Sequence, residues 1–325
     1  MFRGVMNWSL IFLVLAGVAL FLFGIDSFSK EIQAVAREKF KKILKKAVNN
    51  KWKSTLLGTF VTSIIQSSTA TTVITISLVN AGVIGFAQSV GIIFGANIGT
   101  TVTAQLISFK LTKIAPLFMV LGFLLNFFSN KRLKVFGKPL FYFGLVFFSL
   151  DYISTLLAPY RNSPEVLKYF SYSSGIFRGI LIGFVLTNIF QSSSVVTGLT
   201  VISAESGLLT IPAAIFIILG ANIGTTTTVL IASIKMNYES KKTAMAHFLF
   251  NFLGVLIVIP FVYTLISFVN GFSNEPARVV ANFHTFFNLF VALIFLVFYS
   301  SFIKFTELTS NLIYKKLLKL KSQEK

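Results

Sequence analysis

The sequence predicts an all-α polytopic membrane protein made of two inverted-topology repeats, each with a re-entrant helical hairpin and discontinuous helices. Three observations lead there. Of 325 residues, 55% are hydrophobic and only 12% are charged, about half the charge of a soluble domain. Apolar runs long enough to cross a bilayer recur along the chain. Two polar motifs buried inside such runs each occur twice, at one common offset.

The runs are 5–28, 54–83, 86–109, 114–129, 136–158, 177–208, 211–234, 243–268 and 279–303. The first is too long for a signal-peptide core and no small-x-small cleavage site follows it, so it reads as a retained helix. Runs 54–83 and 177–208 carry a polar break in the middle. Each half is about 15 residues, or about 22 Å of helix, against a hydrocarbon core of about 30 Å. Both therefore read as hairpins that enter the membrane, turn at the break and leave on the same side. The other seven read as full spans.

Charge orients them. With the N-terminus outside, segments 30–53, 131–138, 235–242 and 304–325 lie inside and carry 22 of the 29 Lys and Arg. The positive-inside rule then predicts a multi-pass protein of the cell membrane, N-terminus outside and C-terminus cytoplasmic. Arg3, Lys110, Lys113, Arg161, Lys168, Arg178 and Arg278 fall outside. The net charge of +19 is thus a matter of topology, and no nucleic-acid partner is expected. Segments 30–53 and 306–321 read as basic amphipathic helices lying on anionic membrane lipid. With no cysteine, disulfides and thiolate chemistry are excluded.

The repeat is explicit. "TSIIQSSTATT" (62–72) matches "TNIFQSSSVVT" (187–197), and "GANIGTT" occurs at 95–101 and again at 220–226, both at an offset of 125. The same offset aligns Asp26 with Asp151, Gly82 with Gly207, and "FLLNF" (123–127) with "FLFNF" (248–252). The domains expected are a first repeat over 1–126 with hairpin 54–83, a second over 127–251 with hairpin 177–208, and a closing region 252–325 with a last span and a basic tail. Three spans per repeat is an odd number, so the second copy is inverted, an architecture of secondary transporters whose substrate sites lie near the midplane. The two hairpin breaks are expected to approach that midplane from opposite sides.

The polar breaks suggest chemistry. A helix that restarts at membrane depth presents unpaired N–H groups and the positive end of its dipole, an anion site without a cationic side chain. Ser67, Ser68 and Thr69, and Ser192, Ser193 and Ser194, add hydroxyl donors. The oxygens of Gln66, Ser68, Gln191 and Ser193 also suit a hard cation such as Na⁺. In GANIGTT, Asn97 and Asn222 and the threonines Thr100, Thr101, Thr225 and Thr226 suggest locally unwound helices that line the site, since unwound backbone at that depth must face a cavity. Asp151, inside an apolar span, is a candidate Na⁺ or H⁺ ligand. Asp26 is expected at the interface and Glu205 in water. His247 and His284, each in an H-x-x-F-N pattern, are expected to bond between helices rather than to hold metal. No nucleophile–base pair, P-loop or nucleotide motif is present, so neither an enzyme nor an organic cofactor is expected.

The doubled QSS[ST] clusters, each followed by GANIGTT, resemble the type II sodium-dependent phosphate cotransporters and their bacterial relatives, over roughly residues 1–300. The resemblance implies Na⁺-coupled symport of inorganic phosphate by alternating access, with Na⁺ as the co-transported ion. It places Gln66, Ser67, Ser68 and Thr69 with Gln191, Ser192, Ser193 and Ser194 around phosphate and Na⁺. The alternative is a Na⁺-independent or proton-coupled carrier or channel for phosphate or another oxyanion. Thr69 stands where the family typically has a third serine and keeps the hydroxyl. Many bacterial relatives carry a soluble regulatory domain after the last span. The short tail here predicts none.

Overall fold

The computed structural model describes residues 8–45, 50–109, 111–160, 163 and 175–323. Arg3, Lys110, Arg161 and Lys168 of the charge argument lie outside these. Among the described residues the chain is helical, with no strand. In order come α1 (Trp8–Lys45), α2 (Lys51–Ile65), α3 (Ser68–Asn80), α4 (Phe86–Ser108), α5 (Ala115–Leu125), the single turn α6 (Lys131–Lys134) and α7 (Gly137–Leu157). The second half continues with α8 (Ile176–Phe190), α9 (Ser193–Glu205), α10 (Ile211–Ser233), α11 (Tyr238–Val258), α12 (Val262–Asn270), α13 (Pro276–Val297) and α14 (Tyr299–Gln323). The bounds of α2, α3 and α4 reappear in α8, α9 and α10 at the offset of 125.

Among the described residues six helices are long and apolar enough to cross a membrane, not seven. The run 114–129 yields only the 11 residues of α5, about 16 Å of helix. Pro116 sits in the first turn of α5, where its missing N–H costs nothing, and it stops the α-helix from running through the residues before it. Those residues form a 3-10 turn, Leu111–Ile114, instead. Asn126 closes the far end, its Nδ2 donating to the Gly122 carbonyl at 2.9 Å. The basic segment 30–53 is likewise not a separate helix. α1 continues unbroken to Lys45, with Phe40 and Leu44 buried in protein, and residues 51–53 open α2. The tail predicted at 306–321 is the later part of α14, which starts at Tyr299.

The chain folds into two compact units. One gathers Met1–Arg37, Thr101–Gly224 and Val262–Thr285. Its core packs Phe21, Phe147, Leu150, Val195, Val201 and Ile218. Inside it, α5 runs antiparallel to α7. Gly122 meets Gly137 and Phe141 at one end, and Gly144 meets Met119 and Ala115 at the other. The other unit gathers Glu38–Thr100, Thr225–Phe261 and Phe286–Lys325. There Phe94 stacks on Phe250 at 4.9 Å and meets Phe302 edge-on at 5.3 Å.

Each unit holds one helical hairpin pressed against the glycines of one GANIGTT segment, and those glycines make both contacts possible. A Cβ on Gly95 would run into the Thr55 carbonyl of α2, and one on Gly220 into the Ile180 carbonyl of α8. Gly58 and Gly183 answer from the hairpin arms against the carbonyls of Ile92 and Ile217. The four contacts are pairwise equivalent at the same offset. Close backbone approach of this kind is how helices associate where lipid removes the hydrophobic drive.

Gly220→Ala should therefore force α8 and α10 apart and lower stability by about 1–3 kcal/mol, the usual cost of overpacking. Thermal unfolding in detergent checks it against Gly85→Ala, whose new Cβ would find its nearest neighbour at 3.6 Å. Equal melting temperatures would show that the glycine contact is dispensable.

Candidate functional site

Both hairpins break at the same three residues. α2 ends at Ile65, and Gln66 then takes φ 58° and ψ 26°, in the left-handed region. Ser67 is extended at φ −146° and ψ 103°, and α3 starts at Ser68. In the second hairpin Gln191 has φ 54° and ψ 25°, Ser192 has φ −154° and ψ 112°, and α9 starts at Ser193. Among the described residues these two glutamines alone combine a positive φ with a side chain. A left-handed residue is the normal stop for a helix, but glycine usually fills it, because a side chain there costs about 1–2 kcal/mol.

The glutamine serves the arm that ends. Gln66 N donates to the Thr62 carbonyl at 2.7 Å, and its Nε2 donates to the Ser63 carbonyl. Gln191 Nε2 does the same at Asn188. Carbonyls that a helix end orphans are thereby bonded. The serine serves the arm that begins. Ser67 Oγ accepts from Ala70 N at 3.2 Å, and Ser192 Oγ accepts from Val195 N at 3.4 Å. The first serine of each QSS is thus an N-cap. The N–H groups of the next two residues, Ser68 and Thr69 or Ser193 and Ser194, sit at N1 and N2, where no intrahelical acceptor exists. Ser68, Ser193 and Ser194 are buried there at 4%, 8% and 8% exposure. Each tip therefore combines N–H donors, hydroxyls and a positive dipole end out of bulk water, the arrangement that takes an anion.

The tips are not identical. Thr62 Oγ1 donates to Thr71 Oγ1 at 2.9 Å. Those residues are nine apart, so the bond also shows that α2 and α3 fold back on each other. The equivalent positions in the second hairpin are Thr187 and Val196, and Thr187 Oγ1, buried, meets no partner among the described residues. Gln66 is buried while Gln191 is exposed.

The GANIGTT segments depart from expectation. α4 and α10 are continuous through them, so neither unwinds. The glycines serve packing, and Asn97 turns its Nδ2 back to the Ile93 carbonyl of its own helix at 2.9 Å. Asn222 Oδ1 lies 3.2 Å from His284 Nε2, the interhelical bond expected of that histidine. Thr100, Thr101, Thr225 and Thr226 are buried at mid-helix.

Asp151 is exposed on α7. Ser154, within one turn of it, has its Oγ 3.2 Å from Ser206 Oγ. Ser206 follows the 13 residues of α9, about 20 Å of helix from its serine tip. Asp151 therefore stands at the far end of the hairpin, away from Ser193. Glu205 is not simply in water: its carboxylate accepts from Ala277 N at 3.3 Å and caps α13. Asn80, its counterpart in the first repeat, accepts from Asn237 N at 2.8 Å, at the start of α11. Nothing in the motifs pointed to these latches. Asp26 is exposed and paired with Lys30 at 2.6 Å. Among the described residues no three His, Asp or Glu side chains gather as a metal site.

Comparison with known proteins identifies a family. The family model described as Na+/Pi-cotransporter matches residues 20–155 and 165–297. YqeW of Bacillus subtilis (strain 168), an uncharacterized protein, is 33% identical over 86% of this chain and 91% of its own length. YjbB of Escherichia coli (strain K12), a protein named for the export of inorganic phosphate, is 28% identical over 90% of this chain. The match spans about half of YjbB, 54%. Human sodium-dependent phosphate transport protein 2B is 34% identical over 38% of this chain and 20% of its own length. No solved structure matches. With six helices fit to cross a membrane among the described residues, two QSS hairpins and a family match over most of its length, the chain belongs to the Na+/Pi-cotransporter family.

Proposed function

We propose that this membrane protein is a secondary active transporter that moves inorganic phosphate together with Na⁺ by alternating access. The observation that carries the reading is the duplicated QSS turn, which presents N–H and hydroxyl donors at a buried helix start in each unit. Neutral donors suit an oxyanion that must be bound and then released, since a fixed lysine or arginine would hold it more tightly. The donors are the N–H and hydroxyl groups of Ser68 and Thr69 and of Ser193 and Ser194, with Ser67 and Ser192 shaping each turn. Na⁺ offsets the charge of phosphate, whose entry into low dielectric alone is costly. Its ligands are oxygens of Gln66, Ser68, Gln191 and Ser193, with the hydroxyls of Thr100, Thr101, Thr225 and Thr226.

The repeats, 1–126 and 127–251, are read as inverted copies, with 252–325 as a closing region. The N-terminus lies outside the cell membrane and the C-terminus in the cytoplasm. Support comes from the shared offset and from the charge distribution. α5, though short, reverses the chain against α7 as a returning helix does. The relatives include one named for export and one named for sodium-dependent transport, so direction is left to measurement.

The deciding experiment is uptake of radiolabelled phosphate into proteoliposomes under an inward Na⁺ gradient, with K⁺ substitution as the control. Saturable uptake that needs Na⁺ is expected. Uptake indifferent to Na⁺ would replace symport with a proton-coupled carrier or a channel. Ser68→Ala combined with Ser193→Ala should raise the phosphate KM at least tenfold. Each lost hydrogen bond to a charged ligand is worth about 1.5–3 kcal/mol, and about 1.4 kcal/mol is a factor of ten. A native KM would remove the serines from the site. Asp151→Asn should leave the phosphate KM within about twofold, since no contact is lost at either tip, while shifting the Na⁺ dependence. An unchanged Na⁺ Hill coefficient would remove Asp151 from the cation pathway.

A further inference from the structure

The pattern A-x-x-H-x-x-F-N occurs on α11, from Ala244 to Asn251, and again on α13, from Ala281 to Asn288. On α13 the histidine reaches Asn222. On α11 it reaches nothing. His247 is 0% exposed, and neither Nδ1 nor Nε2 has a hydrogen-bonding partner among the described residues. Asn251, also 0% exposed, donates its Nδ2 to the His247 carbonyl at 3.0 Å, but its Oδ1 is equally unmatched. So is the hydroxyl of Thr72, on the returning arm of the first hairpin.

These side chains belong to one seam inside one unit. α11 runs antiparallel to α3: Asn80 receives Asn237 N, Ser240 Oγ donates to the Ile76 carbonyl at 2.9 Å, and Ile76 shares a small core with Ala244. One turn further along each helix, Thr72 follows Ile76 on its stripe and His247 follows Ala244 on the other. α11 also runs parallel to α4, with Thr243 Oγ1 2.9 Å from Ser89 Oγ and Phe250 stacked on Phe94. His247 lies between those two contacts. It therefore sits where α3, α4 and α11 meet, with Asn251 one turn nearer the QSS tip.

We propose that Thr72, His247 and Asn251 hold a buried water behind the first hairpin. The donor set selects it. Asn251 Oδ1 needs a donor, Thr72 brings a hydroxyl that donates or accepts, and the imidazole nitrogen that faces them takes either role according to its tautomer. An ion would need a compensating charge, and Thr72, neutral His247 and Asn251 carry none. Water is neutral, donates to Asn251 Oδ1, takes the complementary role at the imidazole nitrogen and bonds the Thr72 hydroxyl, and buried waters typically make about three such bonds. His247 is then a positioning residue that secures α3 through the water.

Radiolytic oxidation of the native protein in H₂¹⁸O tests the site directly, because side chains that touch bound water are labelled even when bulk solvent cannot reach them. ¹⁸O on His247, with the equally buried Phe147 unlabelled, is the expected result. Label on solvent-facing residues but none on His247 would overturn the proposal. Hydrogen exchange at residues 68–72 gives a second reading. His247→Phe should speed it by about tenfold or more, while His247→Gln, which keeps a donor and an acceptor, should restore it to within about threefold. Native exchange in His247→Phe would also sink the idea. Neither measurement needs the chain to transport anything.

Discussion

A helix cannot stop inside a bilayer without leaving backbone N–H and C=O groups unbonded, and lipid offers them no partner. In this chain two helices, α2 and α8, stop within apolar runs, at Gln66 and Gln191. A left-handed glutamine collects the carbonyls of the arm that ends, and a serine cap collects an N–H of the arm that begins. The N–H groups at N1 and N2 have no acceptor within their own helix. The break thus bonds carbonyls of the arm that ends and caps the arm that begins.

That economy needs a rigid wall behind it. The glycines of GANIGTT let α4 and α10 lie against the first hairpin arms at backbone distance, and Gly58 and Gly183 complete the fit. In each unit a short, broken element is thereby clamped to a long, unbroken one. The exits of the hairpins are fixed as well, by Asn80 at the start of α11 and by Glu205 at the start of α13.

The hairpins were legible because a polar cluster in an apolar run is conspicuous, and doubling at a fixed offset excluded chance. The turn residues could be named for the same reason. The length of α5 was not legible from hydropathy, which counts apolar residues and does not see that Pro116 resets the helix. The continuity of α4 and α10 was missed because Gly-x-x-x-Gly is compatible with unwinding or with packing, and only the partner backbone decides. Asp151 looked like part of the site by its chemistry, yet its place along α7 is set by packing with α9, which no local pattern encodes. His284 met expectation and His247 did not, although the two share a motif, because what each side chain reaches depends on the helix opposite.

The glutamine at the left-handed position has a consequence for how such a protein can change. A glycine at 66 or 191 would make the same turn without the steric cost, but it would lose the Nε2 bond to the Ser63 or Asn188 carbonyl. Both copies of the repeat carry the glutamine. A duplicated unit is free to relax in one half when a feature serves folding alone, as Thr71 has in the second copy, where Val196 stands. Strain retained twice marks a side chain that is used, and it sets a limit on engineering. Substitutions that relieve these turns would give up the carbonyl bonds that close each first arm.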